Sequence, residues 1–82
     1  MATKKEMQLW VEEALKAVGG SGQIAKVAEQ IWKRHEHELR GSGDLLYTWQ
    51  YDMRWAATVL RNAGVIKATD NSPNGVWELT SP

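Results

Sequence analysis

Arg54-Trp55-Ala56-Ala57-Thr58-Val59-Leu60-Arg61-Asn62-Ala63-Gly64-Val65-Ile66 is the stretch from which the rest of the chain is best read. Trp55, Ala56, Val59, Leu60 and Ala63 recur at the spacing of one face of a 3.6-residue helix, and Arg54, Thr58, Arg61 and Asn62 point away from it. On this phase Trp55 belongs to the core. Gly64 supplies the helix stop, since glycine enters the left-handed backbone region without a Cβ clash. The β-branched pair Val65-Ile66 follows at once, so the chain passes directly from helix into a short strand.

Upstream, the periodicity is contested. Tyr47, Trp49, Tyr51, Met53 and Trp55 alternate with Thr48, Gln50, Asp52 and Arg54, which by period alone argues a strand. No turn signal separates this run from the helix that follows. The favoured reading is therefore one helix over 48–63 with Thr48 as its N-cap, and a short strand at 45–47 as an option ahead of it. Some aromatic rings then fall on the outer side of the helix, and Trp49 and Tyr51 become candidate anchors for a partner. Gly41-Ser42-Gly43-Asp44 forms a joint before this helix. Downstream, Val65-Ile66-Lys67-Ala68 and Val76-Trp77-Glu78-Leu79 read as two short strands, with Trp77 in the core. Asn74-Gly75 supplies residues tolerant of positive φ, so a hairpin is predicted over 65–79.

Towards the N-terminus, Thr3 and Glu6 have the spacing of a capping box, and Met7, Trp10, Val11, Ala14, Leu15 and Val18 form an apolar stripe. A first helix is predicted over 4–18, ending at Gly19-Gly20. Gly20-Ser21-Gly22-Gln23-Ile24-Ala25 matches the letters of a dinucleotide-binding turn, but that fingerprint needs a preceding strand and a helix precedes it. The turn reading is preferred, with Ser21 or Gly22 capping a second helix over 22–39. That helix carries Ile24, Val27, Ala28, Ile31, Trp32, His35 and Leu39 on one face, and a Glu29–Lys33 ion pair on the other. His35-Glu36-His37-Glu38 does not make a metal site, because alternate residues of a helix lie ~200° apart. His35 is placed at the core margin.

The 82 residues make one domain, residues 1–82, with an ordered core over about 4–80. Five tryptophans and no phenylalanine point to a core filled by indole rings. With no cysteine, disulfides, Cys-ligated zinc and a cysteine nucleophile are all excluded. No apolar run has the length of a signal or membrane-spanning segment, so a cytoplasmic protein is expected. The predicted architecture is mainly α with a small β-hairpin (α+β): a winged helix-turn-helix of three helices plus a two- or three-stranded antiparallel sheet.

Arg54-Trp55-Ala56, Leu60, Ala63-Gly64-Val65-Ile66 and Gly75-Val76-Trp77-Glu78-Leu79-Thr80 resemble the N-terminal winged-helix domain of Mrr-type restriction endonucleases and its stand-alone relatives. The match covers residues from about 45 to 80. It implies a restriction-modification setting and binding to double-stranded DNA, with helix 48–63 in the major groove and hairpin 65–79 as the wing. Relatives often carry Asn and Arg in the turn before the tryptophan, where this chain has Tyr51 and Asp52, so their base reading does not transfer. No nuclease domain follows in this sequence, and cleavage is not implied.

The candidate DNA-binding residues are Gln50, Tyr51, Arg54, Thr58 and Arg61 on the helix, and Lys67, Asn71, Ser72 and Asn74 on the wing. Ten basic and ten acidic residues give zero net charge. From Gly41 onward Arg54, Arg61 and Lys67 face Asp44, Asp52, Asp70 and Glu78, so only a local arrangement can make a cationic face. The alternative is a protein-protein interaction or dimerisation module using exposed aromatics of the same helix. No nucleophile-base pair, paired carboxylates or ligand cluster is spaced for catalysis, so neither an enzyme nor a small-molecule substrate is expected. No cofactor or metal is expected either.

Overall fold

The computed structural model describes residues 4–68 and 75–80. Thr3 of the capping box and the wing residues Asn71, Ser72 and Asn74 lie outside them. The chain is mainly helical, in the order α1 (Lys4–Ala17), β1 (Ser21–Gln23), α2 (Ile24–Arg40), α3 (Leu45–Asn62) and β2 (Val76–Glu78), with a small antiparallel sheet.

Helix α1 buries the predicted stripe: Met7, Trp10, Val11, Ala14 and Leu15 are all in the core. It closes on a left-handed glycine. Gly19 has φ +90°, its amide donates to the Lys16 carbonyl (3.2 Å), and the Gly20 amide donates to that of Leu15 (2.7 Å). The same closure recurs after α3, where Gly64 has φ +81° and the amides of Gly64 and Val65 donate to the carbonyls of Arg61 and Leu60 (3.1 and 2.9 Å).

Ser21 and Gly22 do not cap α2. They lie in β1, which pairs antiparallel with β2, Ser21 opposite Glu78 and Gly22 opposite Trp77. Helix α2 starts after Gln23 without a side-chain cap, and the Ile24 amide donates instead to the Gly75 carbonyl (3.0 Å). The partner that turns 21–23 into a strand lies more than fifty residues away, so no local pattern announces it. Gly22 also passes close to the turn that follows α1, since a Cβ there would stand 2.9 Å from Val18 Cγ2.

Helix α2 buries Val27, Ile31 and Leu39, and is kinked at His35 (φ −127°, ψ 16°). The imidazole stacks on Trp10 with ring centroids 3.9 Å apart. Its Nδ1 and Nε2 lie 2.9 Å from carboxylate oxygens of Glu38 and Glu13. His35 therefore ties α2 to α1 at the core margin. The Glu29–Lys33 pair is formed at 3.2 Å. On the other side of the sheet, the Lys67 amide donates to the Glu78 carbonyl (2.9 Å) and the Thr80 amide to that of Val65 (3.0 Å). Among the described residues the predicted strand 65–68 is reduced to a single bridge, Ile66 to Leu79. One core joins the helices to Ile66, Trp77 and Leu79. No described helix is long and apolar enough to cross a membrane.

Candidate functional site on the third helix

Helix α3 begins at Leu45, three residues before the predicted start, and there is no strand at 45–47. The Asp44 carbonyl accepts the amides of Tyr47 and Thr48 (2.9 and 3.2 Å), which builds the first turn. Leu45 packs on the same side as Trp49 and Met53, and that added apolar contact outweighs the alternating pattern. Thr48 is thus inside the helix and is not its N-cap. Its hydroxyl contacts the Asp44 carbonyl (3.3 Å) and donates to Asp52 Oδ2 (3.1 Å).

The contested alternation has a simple resolution. Residues two apart in a helix lie on opposite sides, so the run splits into two rows at i, i+4 spacing. Trp49 and Met53 point inward, continued by Ala57; Tyr47, Tyr51 and Trp55 point outward. Two expectations are corrected by this phase. Trp49 is 7% exposed and is a core residue, stacked on Trp32 of α2 with centroids 6.0 Å apart, so it is not an exposed anchor. Trp55 is 56% exposed and is not in the core. Leu45, Trp49, Asp52, Met53, Ala56, Ala57 and Leu60 form the buried face, and Ala63, expected on it, is exposed beyond the helix end.

The same rotation redistributes charge. Asp52, the only carboxylate in α3, is 4% exposed and turned inward, where the Thr48 hydroxyl reaches it. From 45 to 62 the exposed surface of the helix therefore presents Arg54 and Arg61 and no exposed carboxylate. The chain is neutral and its second half slightly acidic, yet this face is cationic.

Gln50, Tyr51 and Arg54 are exposed, and Thr58 and Arg61 half-buried, all on the outward half of α3. The Arg54 guanidinium has no hydrogen-bond or ion-pair partner among the described residues. The Thr58 hydroxyl donates to the Arg54 carbonyl (3.2 Å). Arg61 Nε donates to the Lys67 carbonyl (3.2 Å), fastening the helix to the segment that follows Gly64. Lys67 Nζ is in turn 3.1 Å from Glu78 Oε2. Arg61 and Lys67 thus have structural roles that the sequence reading did not foresee, because both partners are set by the return of the chain. Tyr47 and Trp55 are the outward residues that reading missed; their i, i+4 relation to Tyr51 was the available signal.

Beside this face, a groove of about 370 Å³ opens between α2 and α3, lined by Ala25, Ala28, Glu29, Trp32, Leu46, Trp49 and Gln50. Its walls are apolar apart from Glu29 and Gln50. Lys33 donates a hydrogen bond to the Glu29 carboxylate and, with Lys26, holds that group below its usual range. Among the described residues no three metal-ligating side chains converge. No family model matches this chain, and neither does any curated protein or solved structure.

Proposed function

We propose that this chain is a DNA-binding winged-helix domain of the kind found at the N-terminus of Mrr-type restriction endonucleases, with α3 in the major groove and the segment 65–79 as the wing. The observation that carries the reading is the outer face of α3. Two arginines, a glutamine and two tyrosines stand on it, and the helix's one carboxylate is withdrawn into the core. Duplex DNA is a polyanion whose recognition needs a cationic face with hydrogen-bond donors to base edges, rather than a basic protein overall. The order of the elements supports the same reading, with a strand between α1 and α2 and a return of the chain after α3 that pairs beside it. Arg54 is the residue assigned to phosphate or guanine, and Gln50 to adenine.

A second reading is favoured by one observation. Tyr47, Tyr51 and Trp55 are 83%, 72% and 56% exposed in a single row, a pattern that also suits a protein partner or a second copy of the chain.

A salt series separates the two. Titration of a labelled random duplex is expected to give an affinity that falls linearly on a log-log plot against salt, with a slope of about −0.9 per phosphate contacted. Absence of binding at low salt, together with concentration-dependent dimerisation in sedimentation, would sink the DNA reading.

A further inference from the structure

Taking the DNA reading as its premise, we infer that α3 selects A·T-rich major grooves by packing its outward aromatic row against thymine methyl groups. The polar inventory of the face holds few groups for guanine. A guanine edge is best met by an arginine or lysine presenting two donors. Arg61 is tethered through Nε to the Lys67 carbonyl, which holds its guanidinium toward the segment after Gly64, and Lys67 is paired with Glu78. Arg54 is the one cation of the face without such a tie among the described residues. Gln50, exposed beside it, has the donor-acceptor pair that matches adenine N7 and N6.

What the face offers in quantity is apolar surface. Tyr47, Tyr51 and Trp55 stand four residues apart and span about 12 Å of helix at ~1.5 Å per residue. Consecutive base pairs are ~3.4 Å apart, so the row covers about three or four of them. In the major groove the one apolar group that a base pair presents is the thymine C5-methyl. Rings placed over any base edge strip water from its acceptors and donors without replacing those hydrogen bonds, and a G·C pair has no apolar group to offset that cost. On methyl groups the same rings bury apolar surface, and the tyrosine hydroxyls and the indole N–H still reach acceptors at their outer ends. The cationic character of the face complements the phosphates flanking the groove.

The test uses the whole chain and three short duplexes of equal length: one with an all-A·T centre, the same duplex with deoxyuridine in place of thymine, and one with a G·C centre. Binding is read by anisotropy at low salt. The thymine duplex is expected to bind most tightly, and each methyl engaged is expected to contribute about fourfold over deoxyuridine. Tyr51→Ala, at a position 72% exposed, is expected to weaken binding to the thymine duplex more than to the deoxyuridine duplex and so to shrink the thymine-to-uracil ratio. Equal affinity of the wild-type chain for thymine and uracil duplexes would overturn the inference and leave DNA binding standing. An unchanged ratio in Tyr51→Ala, Tyr47→Ala and Trp55→Ala alike would overturn it too, since the preference would then come from duplex shape. No binding to any of the three duplexes would remove the DNA reading itself.

Discussion

Truncating the two tryptophans of α3 one at a time tests the helical phase on which every functional statement rests. Trp49 is 7% exposed and stacks on Trp32 across the α2–α3 contact. A tryptophan of ~250 Å² so placed hides roughly 230 Å², which at ~25 cal/mol per Å² is an upper bound near 6 kcal/mol. Alanine retains part of that, and measured aromatic truncations in cores cost ~3–5 kcal/mol. A domain of this size has only about 4–12 kcal/mol in total and loses ~4–8 °C of Tm per kcal/mol, so Trp49→Ala is expected to lower Tm by at least about 12 °C or to unfold the chain. Trp55→Ala leaves no cavity, because its ring is 56% exposed. By the same arithmetic that side chain hides roughly 110 Å², an upper bound near 3 kcal/mol that alanine's better helix propensity reduces, so the cost is expected to be well under half that of Trp49→Ala. Thermal unfolding followed by circular dichroism measures both. If Trp55→Ala costs as much as Trp49→Ala, the inward and outward rows are interchanged and the proposed interface is wrong.

Arg54→Ala is expected to weaken duplex binding and to reduce the log-log salt slope by ~0.9 if Arg54 meets one phosphate, with Tm unchanged; an unaltered slope would place Arg54 off the backbone. Gly64→Ala forces a side chain into φ +81° and is expected to cost ~1–2 kcal/mol in urea unfolding, whereas Gly41→Ala, at φ −88°, is expected to cost far less. Equal costs would refute the left-handed closure of α3. Glu29, held below its usual range chiefly by its hydrogen bond from Lys33, is expected to titrate at higher pH in Lys33→Ala, as read by NMR. Because the carboxyl is lowered in the folded chain, the pairing favours the fold above the ordinary Glu range and fades as pH falls through the Glu29 titration. An unmoved midpoint would mean the pair does not form in solution.

Local pattern carried most of the secondary structure. The α1 stripe from Met7 to Leu15, the α2 stripe through Val27 and Ile31, the Glu29–Lys33 pair and the glycine closures after Ala17 and Asn62 each depend on residues within one or two helical turns, where spacing and backbone freedom suffice. For the candidate site, Gln50, Tyr51 and Arg54 were legible as outward residues for the same reason. The phase of the first half of α3 was not. Leu45, Trp49 and Met53 have the same spacing as Tyr47, Tyr51 and Trp55, so spacing does not rank the two rows, although leucine and methionine are more apolar than tyrosine. Packing settles the choice: Trp49 finds Trp32 across the contact with α2, and no second surface exists for the other row among the described residues.

The sequence by itself determined three helices, their glycine stops and a chain that returns after the third, because those follow from neighbours in the chain. The tertiary structure decided which aromatic row of α3 is core, turned Ser21–Gln23 into a strand, tied Arg61 and Lys67 to the returning segment, and took Asp52 out of solvent. Each of these last choices is made by a partner on another turn, helix or strand, and the burial of Asp52 leaves a neutral protein with a cationic face.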